Sequence, residues 1–102
     1  MISINNKNLD EYVQSGETLV FLFYQNNHTL SDIVMRYLNE LDAMVGKNFK
    51  ICIVDASVET DVAEAFAVTD LPEIVVIKDK RIRSRKNKIL YANQILKMLQ
   101  DC

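Results

Sequence analysis

The sequence predicts an α/β domain in which helices cover both faces of a mixed central sheet of four or five strands, forming a three-layer sandwich. Short runs of β-branched and aromatic residues alternate with segments whose apolar residues recur at helical spacing. Two of these runs, 19–24 and 74–77, are apolar throughout, which is typical of strands covered on both faces. Only the Asp79-Lys80 turn separates the last two strands, so they form an antiparallel hairpin after a series of crossover connections.

Length and composition indicate one soluble domain spanning residues 1–102. A chain of 102 residues supports a single hydrophobic core, and its 49% hydrophobic and 25% charged content is ordinary for a globular protein. The longest apolar stretch, Leu19 to Tyr24, is too short to span a bilayer. The first residues show no basic region followed by a hydrophobic segment, so we expect a cytoplasmic protein that makes no membrane contact.

The first half of the chain predicts two strands and two helices, and the first of these strands is a short one at Ser3 and Ile4. Asn6 is positioned to cap a helix that runs to about Gln14 and stops at Gly16, and a strand follows over 18–24. Thr29 or Ser31 can cap the second helix. Gly46 is expected to end that helix, whose apolar stripe comprises Ile33, Val34, Tyr37, Leu38, Leu41 and Val45.

The second half predicts three strands and two helices. A strand over 49–54 leads to a short helix capped by Thr60. Strand 74–77 turns back into a strand that reaches Arg85, and a helix over 91–99 closes the chain. The residues expected to face inward are Val62, Ala65 and Phe66 in the short helix and Ile95, Met98 and Leu99 in the last.

Local sequence along almost the whole chain resembles the thioredoxin superfamily. Leu19-Val20-Phe21-Leu22-Phe23 is similar to its central strand, and Val68-Thr69-Asp70-Leu71-Pro72 is similar to the loop that precedes its fourth main strand. Lys78-Asp79-Lys80 resembles the final hairpin turn, and Gln94-Ile95-Leu96 the closing helix. The resemblance implies a cis peptide bond before Pro72, which exposes the backbone of Leu71 to an extended ligand.

The cysteines that give thioredoxins their chemistry are missing from the matching positions. The family motif Trp-Cys-Gly-Pro-Cys aligns with Asn27-His28-Thr29-Leu30-Ser31, or one residue earlier when aligned from the preceding strand. Phe21 stands in place of the family's buried acid and Ile51 in place of the nearby lysine, while Arg36 and Lys88 replace a proline and a glycine. Disulfide reduction needs a thiolate to attack and a second thiol to resolve the mixed disulfide, so we expect a redox-inactive protein.

The interpretation that follows is a thioredoxin-like protein that binds an unidentified protein or peptide, without a cofactor or metal. Leu71 would offer a β-like pair of backbone hydrogen bonds to an extended segment, and Leu30 and Leu71 would form an apolar lip. We expect a monomer or weak dimer. The peptide-binding positions implied by the resemblance are Asn27, His28, Thr29, Leu30, Ser31, Leu71 and Pro72.

An enzymatic alternative remains open at the sequence level. His28, the single histidine, could act as a general base on Ser31, although no acid is evident to orient it. A lone cysteine could also react: Cys52 lies in an apolar run and is expected to be a buried thiol, whereas Cys102 is expected to be exposed. One histidine without a nearby cysteine does not suggest a metal site.

The terminal hairpin concentrates positive charge. Residues 78–88 hold seven of the chain's twelve basic residues against the single acid Asp79. Alternation predicts Arg81, Arg83 and Arg85 on one face and Ile82 on the other. These charges can protect the sheet edge from pairing, contact an acidic partner or contact nucleic acid. No aromatic residues lie between the cations, which disfavours stacking on nucleic-acid bases. The proposed electrostatic surface comprises Lys80, Arg81, Arg83, Arg85, Lys86 and Lys88.

Overall fold

Five strands and four helices make up the fold, and the computed structural model describes every residue from 1 to 102. Each long helix follows a strand, as expected for crossover connections. The longest helix has 14 residues, and none is long and apolar enough to cross a membrane. In chain order the elements are β1 (Ile2–Ser3), α1 (Leu9–Gln14), β2 (Leu19–Tyr24), α2 (Thr29–Asp42), β3 (Lys50–Asp55), α3 (Thr60–Ala65), β4 (Glu73–Lys78), β5 (Arg81–Lys86) and α4 (Ala92–Gln100).

The strands form one mixed sheet in the order β1-β3-β2-β4-β5. β3 pairs in parallel with β1 and β2, whereas β4 pairs antiparallel with both β2 and β5. Phe23 near the end of β2 lies opposite Glu73 at the start of β4. This arrangement confirms the predicted α/β fold and sheet, and it leaves β5 as an edge strand.

Two apolar cores lie on opposite faces of the sheet. One contains Leu22, Ile51 and Ile74 beneath the buried residues of α2 and α4. The other, under α1 and α3, centres on three phenylalanines. The Phe66 ring lies 5.4 Å from that of Phe21 and 5.1 Å from that of Phe23, between ring centres. The continuous apolar run in β2 supplies both cores, because successive side chains point to opposite faces.

The two short helices differ from prediction at their starts. Asn8, not Asn6, is the N-cap of α1, because Asn5 and Asn8 first form a turn in which Asn8 Oδ1 accepts from the Asn5 N–H at 2.8 Å. Glu59, not Thr60, is the N-cap of α3. In this helix Ala63 rather than Ala65 is buried beside Val62 and Phe66. The buried face of α3 therefore differs from the predicted one by the exchange of Ala65 for Ala63.

The main helix α2 is shorter than predicted at its C-terminal end. It ends at Asp42 with Ala43 as the C-cap, and the chain then runs as a loop to β3. Val45, predicted to continue the apolar stripe, is therefore fully exposed, and Gly46 takes a positive φ of 75° within this loop. Leu38 and Leu41 are buried as predicted.

A β-bulge changes the faces of the charged hairpin. Asp79 and Lys80 both have positive φ, as a two-residue hairpin turn requires. Val76 lies opposite Ser84 and Ile77 opposite Ile82, so Arg83 is an extra residue in β5. The prediction that Arg81, Arg83 and Arg85 share one face is wrong. Beyond the bulge Arg85 lies opposite Val75 on the α1/α3 side, whereas Arg83 lines a cleft against α4.

Candidate functional site

The residues predicted to bind a peptide lie at one end of the sheet, in the loop after β2, in the first turn of α2 and in the segment before β4. The 25–28 loop follows β2, and the 69–72 segment precedes β4. β2 and β4 are antiparallel neighbours with Phe23 opposite Glu73, so the end of one strand and the start of the other lie side by side. The fold thus brings together the two predicted segments, which are more than forty residues apart in sequence.

His28 and Ser31 form the start of α2. His28 is the N-cap, replacing the predicted Thr29 or Ser31, and its Nδ1 accepts the Ser31 backbone N–H at 3.3 Å. Ser31 Oγ lies 2.9 Å from the same Nδ1 and accepts the Gln25 N–H at 3.3 Å. Because Nδ1 accepts the backbone N–H, it carries no proton, and the Ser31 hydroxyl donates to it. The imidazole and the hydroxyl therefore stabilise the helix start.

The Ser31–His28 contact pairs a hydroxyl with a base, as in a hydrolytic site, but a substrate cannot reach the hydroxyl. Ser31 is only 1% exposed, so a substrate carbonyl has no path to its Oγ. A nucleophile must reach the reacting carbon and needs a base held by a third group. The arrangement fits a structural cap better than a hydrolytic dyad.

Neither cysteine provides a thiol at this site. Cys52 lies in the middle of β3 opposite Phe21 and is fully buried, and burial raises the pKa of its thiol to about 12. Cys102 follows α4 and is half-buried rather than exposed as predicted, because its Sγ contacts the Met98 carbonyl oxygen at 2.9 Å. Both are free thiols, and residues 1–102 contain no group of three His, Cys, Asp or Glu side chains arranged to hold a metal.

The segment before β4 offers an unpaired backbone. The Leu71–Pro72 peptide bond is cis and Pro72 is buried. Leu71 is half-buried against the phenylalanine core. No backbone N–H or C=O of residues 69–71 makes a hydrogen bond within the chain. Leu30, in the first turn of α2, is 43% exposed, so the other predicted segment presents an apolar side chain to solvent.

Asp55 anchors the 25–28 loop, a role that the sequence analysis missed. It ends β3, and its carboxylate accepts hydrogen bonds from Asn26 Nδ2 at 3.2 Å and from the Ser57 hydroxyl at 2.6 Å. Burial, followed by the negative charge of Asp55, raises the pKa of the Tyr24 hydroxyl. The available signal was the position of Asp55 at the carboxyl end of a parallel strand, beside the end of β2. Exposed Asn27 takes a positive φ of 59° at the tip of this loop.

The structure divides the predicted electrostatic surface into paired and unpaired cations. Arg85 donates to the Glu73 carboxylate and, at 2.7 Å, to the Phe66 carbonyl oxygen, so its charge is used within the protein. Arg83 lies 3.4 Å from the Asp79 carboxylate. The remaining members are exposed and have no carboxylate within 4.0 Å: Lys80, Arg81, Lys86 and Lys88.

Known proteins share this fold over the full chain. Mitochondrial thioredoxin 3 of Saccharomyces cerevisiae superposes with a TM-score of 0.88 at 17% identity, covering 100% of this chain and 95% of its own. A mutant thioredoxin of Entamoeba histolytica gives 0.86 at 20% identity, with 100% and 99% covered. One from Halobacterium salinarum gives 0.88 at 12% identity, with 98% and 88% covered. At these identities the superpositions show the fold alone.

Sequence comparison assigns the family. No curated protein matches the chain. The family model described as a thioredoxin-like domain matches residues 1–101, which is all of the chain except its last residue. The match agrees with the resemblance first seen in β2 and in the loop before β4. The chain therefore belongs to the thioredoxin-like domain family.

Proposed function

We propose that this protein is a redox-inactive member of the family that binds another protein or a peptide at the end of the sheet. The site would comprise residues 27–31, where the 25–28 loop leads into α2, together with Leu71 and Pro72. The observation that carries the proposal is the backbone of residues 69–71, which includes half-buried Leu71 and has no hydrogen-bond partner within the chain. An extended segment would supply the missing partners, as in strand addition to a sheet.

Redox inactivity is supported by the chemistry of the residues at the start of α2. Attack on a disulfide requires a thiolate, and release of the mixed disulfide requires a second thiol. His28 and Ser31 occupy these two positions in one of the two alignments, and their side chains bond to each other. Phe21 and Ile51 are both buried in apolar cores, so no acid or lysine supports proton transfer from these positions.

A cytoplasmic location is part of the same proposal. Structural disulfides are typical of secreted domains and rare in reducing compartments. Cys52 and Cys102 are both free here, and neither has the other as a partner.

Peptide selection tests the binding site directly. Decapeptides selected from a random library on the wild-type protein would be labelled, and their affinities measured by fluorescence anisotropy. We expect Leu30→Asp to weaken binding at least tenfold, because it places a charge in the apolar lip. The control is Val45→Asp, since Val45 is fully exposed in the loop between α2 and β3 and lies outside the site.

A second variant separates contact from stability. Leu71→Asp should also weaken binding, and thermal unfolding would establish that the variant is folded. Selected peptides that bind both lip variants as tightly as wild type, while Val45→Asp weakens them, would contradict the proposed site.

A further inference from the structure

A cleft of about 310 Å³ lies between β5 and α4, and none of residues 27–31 lines it. The apolar side chains of Leu90 and Met98, which are 1% and 4% exposed, form its floor, whereas most of its other lining residues are polar or charged. Cations surround this floor. Arg83 and Lys86 of β5 form one wall, Lys97 of α4 belongs to the other, and Lys88 lies in the connection between these elements.

The positive charge of this cleft is only partly compensated. Asp101 also lines the cleft and lies 3.6 Å from Lys97 Nζ, so it offsets one of the four charges. Arg83 has Asp79 at 3.4 Å. Lys86 and Lys88 have no carboxylate within 4.0 Å, although the chain holds fourteen acids and has a net charge of −2. An edge strand is protected from pairing with another sheet by charges on the strand itself, and Lys88 and Lys97 lie outside β5, so edge protection does not account for all four cations.

We infer that the β5–α4 cleft binds an extended, carboxylate-rich segment of a partner protein. Three residue steps separate Arg83 from Lys86 along β5, about 10 Å of extended chain, and Lys88 follows in the connection to α4, so a short extended peptide can reach all three cations. In such a peptide alternate side chains point the same way, so glutamates at every second position can face the β5 cations while the apolar residues between them point toward α4. This site is separate from the one proposed above, and neither proposal depends on the other.

Protein carboxylates fit this cleft better than nucleic acid. No aromatic side chain lines the cleft, so bases would have no surface on which to stack. The carboxylate of Asp101 would also repel a phosphate chain along the α4 wall, whereas a peptide can place an apolar residue there. Charge complementarity and the apolar floor together therefore favour an acidic protein segment.

The probe for the experiment is a fluorescein-labelled octapeptide of alternating glutamate and valine. Anisotropy would be measured at about 50 mM and about 250 mM NaCl, since exposed charge pairs weaken as salt screens them. We expect Lys86→Gln/Lys88→Gln to lose affinity on the order of tenfold, corresponding to two exposed charge contacts. The matched control, Lys7→Gln/Arg36→Gln, removes two exposed charges that do not line the cleft and should change affinity less than about twofold.

A loss of peptide affinity in Lys86→Gln/Lys88→Gln but not in the control variant, together with weaker binding at the higher salt, would support the inference. An equal loss of peptide affinity in both variants would overturn it, as would a wild-type protein that does not bind the peptide at the lower salt. Tighter binding of a thymidine oligonucleotide of equal charge would assign the cleft to nucleic acid instead. Backbone NMR shifts on the wild-type protein locate the peptide independently of any variant. Shifts at residues 83–88 and 94–101 support the cleft, whereas shifts confined to residues 27–31 and 71–72 place the peptide at the other site and overturn the inference.

Discussion

Glu73 and Arg85 form a partly buried ion pair. The Glu73 side chain is 7% exposed at the first position of β4, whereas that of Arg85 is 36% exposed. A buried carboxylate without a partner is costly because no water solvates it. The Arg85 guanidinium supplies a hydrogen-bonded partner and also binds the Phe66 carbonyl oxygen, which ties the edge strand to the end of α3.

Replacing Arg85 should therefore destabilise the fold rather than merely remove a surface charge. We expect Arg85→Met to lower the free energy of unfolding by about 2 kcal/mol, below the usual range for breaking a buried pair because Arg85 is partly exposed. Arg81→Met, on the same strand without an ion-pair partner, should change it by less than about 0.5 kcal/mol. Urea unfolding measures both. Equal effects of the two substitutions would show that Glu73 does not need the arginine.

Cys52 should make the fold sensitive to alkali. Burial raises its pKa from 9.0 to about 12 in the folded protein. As the pH rises past about 9, the unfolded chain loses the thiol proton while the folded chain keeps it, so this group lowers the free energy of unfolding by up to about 1.4 kcal/mol per pH unit. Urea unfolding at about pH 8 and about pH 10.5 measures the slope.

The matched variant for this slope is Cys52→Ala, which has no thiol to titrate. Its absolute stability will be lower, but its stability should fall less steeply with pH than that of wild type. Parallel slopes in the two proteins would show that the Cys52 thiol contributes nothing to the alkaline loss.

At the scale of the elements, the start of α2 illustrates what the sequence could and could not predict. The helix and its buried face were predictable from the recurrence of Val34, Leu38 and Leu41 at helical spacing. The N-cap of this helix could not be predicted, because hydroxyl side chains are common caps and both Thr29 and Ser31 lie close to the start of the helix. The buried Ser31 hydroxyl instead required a partner, and the His28 imidazole serves both that hydroxyl and the helix N–H.

Removing this cap should weaken α2 measurably. We expect His28→Ala to lower the free energy of unfolding by about 1 to 2 kcal/mol, since an N–H and the buried Ser31 hydroxyl both lose their acceptor. His28→Asn should retain most of the stability, because its side-chain oxygen is also a good cap. Urea unfolding compares the three proteins, and an alanine variant as stable as wild type would contradict the capping role.

The bulge in β5 shows where local sequence pattern fails. Strict alternation placed Arg81, Arg83 and Arg85 on one face, and nothing within residues 81–86 marks Arg83 as an extra residue. The bulge is recognised only through pairing with β4, where Ser84 lies opposite Val76 and Ile82 opposite Ile77. Register between strands is a tertiary property, so the face of Arg85 could not be predicted from alternation alone.

At the scale of the whole molecule, the fold was predictable because its strands and helices alternate and its apolar runs are long enough to specify a two-sided sheet. The sequence was enough to predict which segments form the candidate site, since residues 27–31 and Leu71 lie at the same end of the sheet. The alignment of this loop with the family motif could not be predicted, because an inserted residue leaves two registers for the positions of the missing cysteines. In one of these registers His28 and Ser31 take the two positions, and their side chains contact each other at 2.9 Å.

Introduced cysteines test both this register and the proposed redox inactivity. Wild type should not reduce insulin above the background of the dithiothreitol that recycles it, because no thiol lies at the start of α2. His28→Cys/Ser31→Cys should form a disulfide under mild oxidation and reduce insulin above that background, since the two positions already bring side chains into contact. The matched pair is Asn27→Cys/Leu30→Cys, in which Asn27 lies outside the helix with a positive φ and Leu30 is 43% exposed, so a bond should form poorly. Turnover by wild type would contradict redox inactivity. More efficient bonding in the matched pair would instead shift the family motif by one residue along this loop.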